Sequence, residues 1–239
     1  MPGYTRRQLK EDKFAETAQG AAQWATGHRP TVAWALGALV VVLLATAGII
    51  TWRNRQIENG NDELAAAIRI LDAPLAPQAA PGDTTPTFTT IAERGKAAEK
   101  KLKEIEDKYS MFGPGKVAHY LRGSALIEAG DMPGAEQEIK TAADSGDKDL
   151  AALAKMALAD LYRNSKRQQD AVKIYKDLAD HPTASVSKGT AELALAEIYE
   201  TTDPQQATAI YKQLQKDDPN STAARYATQK LAPAQNNRK

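Results

Sequence analysis

The sequence predicts an all-α chain, with one membrane-spanning helix near the N-terminus followed by a solenoid of about three helix pairs and a capping helix. Three observations carry this. Thr31–Trp52, TVAWALGALVVVLLATAGIITW, runs for 22 residues without a charge, a proline or an amide side chain. Further on, small and aromatic residues recur at a spacing of 36. Between the two, Ala73–Thr90 holds four of the chain's 12 prolines and has no helical period.

As a helix, the uncharged run reaches about 33 Å, close to the ~30 Å hydrocarbon core of a bilayer. Trp34 and Trp52 fall about 27 Å apart along it, one near each headgroup layer. A cleavable signal peptide is the competing reading, since Ala45-Thr46-Ala47 is an A-x-A tripeptide. The apolar run continues past it through Ile49 and Ile50, and 30 residues is long for an n-region, which favours an uncleaved anchor. Basic residues near the span do not decide the orientation, with Lys13 and Arg29 on one side and Arg53, Arg55 and Arg69 on the other. A short tail carrying Arg6, Arg7, Lys10, Lys13 and Arg29 tends to stay cytoplasmic, whereas large domains translocate with little regard to charge. The expected topology is N-terminus in and C-terminal domain out.

Around this span the chain divides into six segments. Residues 1–30 form a cytoplasmic tail in which Phe14, Ala18, Ala21, Ala22 and Ala25 make a weak apolar stripe. It reads equally as an amphipathic helix on the inner headgroups or as a frayed polar tail. Residues 31–52 are the transmembrane helix. Residues 53–72 form a membrane-proximal helical segment, one helix or two, with Ile57, Leu64, Ile68 and Leu71 on one face and Asn61, after Gly60, placed to cap a second helix. Residues 73–90 are a Pro-rich linker, 91–233 the repeat domain and 234–239 a flexible tail. The repeat domain opens with a charged helix carrying Ala98, Leu102, Ile105 and Tyr109 on one side, its lysines and glutamates forming a solvated face laced by i,i+4 pairs.

The net charge of +1 gives no nucleic-acid footprint, and the absence of cysteine removes disulfides, thiol nucleophiles and Cys-ligated zinc.

The repeat is the most specific signal outside the membrane. Ala135, Ala171 and Ala207 recur 36 residues apart, as do Ile139, Tyr175 and Tyr211, and as do Ala142, Leu178 and Leu214. Gly123, Ala159 and Ala196 are small where a first helix crosses its partner, and Leu126, Tyr162 and Tyr199 fill the space beside the crossing. Gly130 suits a turn between helices, and Pro182 and Pro219 end second helices. The third repeat is one residue short in its turn, and the first lacks a closing proline. A last helix, STAARYATQKL, brings Tyr226 and Leu231 as a cap.

This register resembles the tetratricopeptide repeat. Taken with a short tail bearing a Phe and a Trp, a single anchor and a small repeat domain, the chain resembles the ancillary SecYEG translocon subunit family. The resemblance implies an inner-membrane helix holding a periplasmic tetratricopeptide-like domain. Related periplasmic domains of the cell-division coordinator type share the repeats, so it implies location better than partner.

Residues able to carry chemistry are scattered. His28, His119 and His181 include no pair at zinc-helix spacing, Gly113–Lys116 lacks the spacing of a phosphate loop, and Ser124 and Ser165 have no nearby base. We therefore expect no catalytic residue, cofactor, metal or small-molecule substrate, and no enzyme. The expected role is a membrane-tethered scaffold or chaperone-like factor binding other proteins, translocon subunits and exported polypeptides among them, with lipid contacted only through the span. Its partner groove is assigned to Tyr120, Ser124, Asp160, Arg163, Asn164, Glu197 and Glu200, polar, mixed in sign and sparsely aromatic. The alternative is a structural or oligomerising subunit of another envelope complex, of the cell-division or envelope-assembly kind, in which Gly37, Ala38 and Ala45 pack helix on helix.

Overall fold

The computed structural model describes residues 24–75 and 86–232. The stripe assigned to the tail, apart from Ala25, and the tail at 234–239 lie outside these residues. The chain divides into two compact units, Met1–Arg55 and Gln56–Lys239.

The first unit contains most of a long helix, α1, Arg29–Leu71. Its apolar side chains from Trp34 to Trp52 stand exposed all round, and none of its most apolar 18-residue window is buried. By length and composition it can cross a membrane once. Thr46 and Thr51 return their hydroxyls to the Val42 and Ala47 carbonyls at 2.7 and 2.6 Å, so neither leaves a polar group unpaired in an apolar stretch.

The second unit begins within α1. No new helix starts at Asn61, because α1 runs unbroken to Leu71. Gly60 is a contact position rather than a stop: a Cβ there would lie 2.7 Å from Pro114 Cβ and Cγ. The last turns of α1 pack against α2, Ile91–Tyr109. Buried Leu64 and Ala67 meet Ala98, Leu102, Ile105 and Tyr109, the stripe that the sequence assigns to this helix. Glu63 fastens the pair: Lys108 Nζ and Tyr109 Oη donate to its Oε1 at 2.6 and 3.0 Å, and Lys101 Nζ to its Oε2 at 3.0 Å. Many charges of α2 are thus spent between helices rather than on the expected i,i+4 pairs, of which Lys103–Asp107 at 3.8 Å is one.

Three further pairs follow: α3 Gly113–Ala129 with α4 Met132–Ala143, α5 Lys148–Asn164 with α6 Gln168–Asp180, and α7 Lys188–Thr202 with α8 Pro204–Asp217. Consecutive helices pack on one another, first helices α3 and α5 also touch, and α9, Thr222–Leu231, covers α7 and α8. The small residues at the crossings are buried as the register requires, with Ala135, Ala159, Ala171 and Ala196 fully inaccessible. Tyr175 and Ile139 fill the central core, and Tyr211 and Leu214 the last one, where Tyr226 and Leu231 of α9 close it.

Turn chemistry explains the helix ends. Gly130 lies in the left-handed region at φ 87°, and Lys166, 36 residues on, adopts the same hand at φ 62°. The shorter third turn leaves Asp203 as both the C-cap of α7 and the N-cap of α8, its carboxylate accepting from the Gln206 amide. Thr90, Asp131, Asp147, Ser187 and Ser221 cap five further starts through their side chains, whereas Phe112 and Arg167, ahead of α3 and α6, make no such bond. Both described flanks of the Pro-rich segment are tied down, Leu75 bridging Phe88 and the Ala73 carbonyl accepting from Arg94 Nη1 at 3.0 Å. Residues 76–85 lie outside the described ones.

Candidate functional site

The first helices α3, α5 and α7 carry the seven residues assigned to a groove. Each helix presents equivalent positions because its small crossing residue sets the rotation about the axis. Asp160, Arg163 and Glu197 come together: Arg163 Nη2 lies 3.1 Å from Asp160 Oδ1, and its Nη1 2.8 Å from Glu197 Oε2 on the next first helix. Tyr175 Oη donates to Asp160 at 2.6 Å from the second helix of the same pair. Burial first, and then the Asp160 carboxylate, push the Tyr175 hydroxyl well above the ordinary tyrosine range.

Glu200 belongs to a separate group. Tyr211 Oη donates to it at 2.7 Å, and Lys230 Nζ of the capping helix lies 2.9 Å away. The lysine, followed by the tyrosine, holds the Glu200 carboxyl below its usual range against the opposing effect of burial. Tyr120 and Ser124 are half-buried on α3, with Tyr120 packed on the central core, and Asn164 is exposed as the last residue of α5.

The same register identifies residues that the sequence reading passed over. Met156 and Leu193 hold on α5 and α7 the position of Tyr120 on α3, at spacings of 36 and 37, and all three are half-buried. An apolar row therefore runs beside the charged one.

A second constellation joins three helices of the first two pairs. Glu106 of α2, His119 of α3 and Glu138 of α4 bring one ligand-type atom each within 4.8 Å of one another. His119 Nδ1 lies 2.7 Å from Glu138 Oε2 and 3.6 Å from Glu106 Oε2. Arg122 Nη1 donates to Glu106 and Glu138 at 2.8 Å each, and its Nε to Glu99 at 3.0 Å. Spacing along a single helix gives no sign of this group, since its members are 13 and 19 residues apart.

The comparisons agree with this architecture. A family model described as a tetratricopeptide repeat-like domain matches residues 30–193, and one described as a tetratricopeptide repeat matches residues 190–221. No curated protein and no solved structure gives a significant match. Domains of this kind typically bind proteins rather than catalyse reactions. With the first match spanning more than half of its length, the chain belongs to the tetratricopeptide repeat-like domain family.

Proposed function

We propose that the chain is a membrane-tethered scaffold that binds polypeptides at the periplasmic face of a bacterial inner membrane, as an ancillary translocon subunit or chaperone-like factor. The observation that carries the reading is the pair of parallel rows on the first helices, half-buried Tyr120, Met156 and Leu193 beside the Asp160–Arg163–Glu197 ion pairs. The apolar row offers contact area to an extended chain and the charged row offers polar partners. Such a mixed surface favours transient association over an obligate dry interface.

Photocrosslinkers at Asp160 and Glu197 should capture polypeptides in intact membranes, while those at exposed Lys176 and Lys212 on second helices should not. Capture only from the second helices overturns the groove. If the detergent-solubilised protein keeps its oligomeric state and partners after the repeat domain is removed, self-association through the span replaces the scaffold.

A further inference from the structure

We infer that Glu106, His119 and Glu138 form a binding site for a divalent transition-metal ion, zinc being the best match to one imidazole and two carboxylates. The first argument is geometric. The three side chains come from three helices, so the fold, and not local sequence, assembles them. Around an ion with bonds of about 2.0–2.2 Å, ligand atoms of a tetrahedral site stand roughly 3.3 Å apart. The observed 2.7 and 3.6 Å from His119 Nδ1 bracket that value.

The second argument is charge. Glu99, Glu106 and Glu138 surround the single guanidinium of Arg122, all four side chains between 14 and 26 % exposed. The three carboxylates outnumber the one guanidinium in a partly desolvated group, and a divalent ion would balance the excess. Lys96 and Asp131 face the same open cavity of about 500 Å³ and offset each other. The cavity reaches Glu138, one of the three ligands.

The third argument comes from the repeat itself. Positions equivalent to Arg122 hold Leu158 and Leu195, and positions equivalent to Glu138 hold Ile174 and Ile210. In the second and third pairs these residues pack with the apolar cores. The helix pair therefore does not need a polar cluster here. Partly exposed charged groups thus stand where the sister repeats have buried leucine and half-buried isoleucine, a local departure from the repeat that calls for a function.

Without an ion, the 2.7 Å contact is a hydrogen bond from Nδ1–H to Glu138. On coordination the imidazole proton resides on Nε2, and the Nδ1 lone pair faces the metal. Arg122, which bonds Glu106 and Glu138 through one nitrogen, keeps those bonds and fixes the orientation of both carboxylates.

The test is Zn²⁺ alone, titrated by calorimetry into the chelator-treated full-length protein in detergent, with Co²⁺ absorption as a spectroscopic readout. We expect one equivalent bound with micromolar or tighter affinity and a rise in Tm. His119→Ala and Glu106→Gln should each weaken binding by at least about tenfold. The double variant Arg122→Leu/Glu138→Ile, which installs the pair used by the other repeats, should keep its helical circular dichroism and lose the Co²⁺ bands. His28→Ala/His181→Ala should bind as the parent does. Absence of saturable binding below millimolar Zn²⁺, or binding that survives His119→Ala unchanged, overturns the site.

Discussion

Tyr175 on the second helix of the central pair donates its hydroxyl to Asp160 on the first, at 2.6 Å, and Asp160 is in turn 3.1 Å from Arg163. A fully buried ring thus ends on the polar row of the first helices, linking the core to the surface proposed to meet partners. Tyr175→Phe keeps the ring and removes the bond. It should lower stability by about 1–2 kcal/mol in denaturant titration. Tyr211→Phe should cost less, because Glu200 keeps Lys230 and sits beside the last helix.

Acid should weaken the second unit through two carboxylates. Lys108 and Lys101 hold Glu63 down to about 2 from an ordinary 4.5, and Lys140 and Arg167 do the same for Glu136. Both pKa values are depressed on folding, so the stabilisation is complete above about 4.5 and is lost as pH falls towards 2. The denaturation midpoint should fall across that window. In Glu63→Gln it should start lower and fall less steeply, and an unchanged slope would remove Glu63 from the account.

Gly130 and Lys166 share a register position and a left-handed backbone, yet only one is glycine. Opposite signs should follow. Gly130→Ala should destabilise by about 1 kcal/mol, and Lys166→Gly should be neutral or stabilising by up to about 1 kcal/mol, as read from paired thermal melts.

Close approach between helices sets a third pair of outcomes. A Cβ on Gly123 would stand 2.4 Å from Ile139 Cγ1, a side-chain atom, whereas one on Gly95 would stand 2.6 Å from the Ala125 carbonyl and the Ala129 amide. Side chains give way more cheaply than backbone. Gly123→Ala should cost about 1–3 kcal/mol and Gly95→Ala more, by denaturant midpoint.

Membrane topology is checked in sealed spheroplasts of a two-membrane bacterium. External protease should digest the repeat domain and leave an N-terminal fragment ending near Arg53, the tail with Arg6 and Arg7 being protected. Protection of the domain with loss of the tail would place it in the cytoplasm and end the translocon-facing reading.

The sequence makes plain whatever repeats or persists. Ala135, Ala171 and Ala207 mark crossings because close packing needs a small side chain at the same place each time, and the long apolar helix shows in its lack of charge. The pairing of α1 with α2 is hidden, because Leu64 and Ala67 meet Leu102 and Ile105 across a proline-rich stretch that shows no period. Gly60 reads as a break in one dimension and proves to be a seat for Pro114 in three. The groove assignment followed polarity along the first helices and so passed over Met156 and Leu193, which face the same way as Tyr120. Glu106, His119 and Glu138 stayed separate because only tertiary packing brings them together.

The Glu63 clasp has a consequence for anyone cutting this chain. Residues Gln56–Leu71 complete the first core, so the exchangeable module starts at Gln56 and not after the prolines. A nick anywhere between Leu75 and Pro86 leaves two pieces with matching halves of that core, Leu64 and Ala67 on one and fully buried Leu102, Ile105 and Tyr109 on the other. The pieces should stay together without a peptide bond, as a split protein that complements itself, and should separate only in denaturant. A soluble version begun at Thr90 would instead display that stripe to water and aggregate, whereas one begun at Gln56 would carry its own lid.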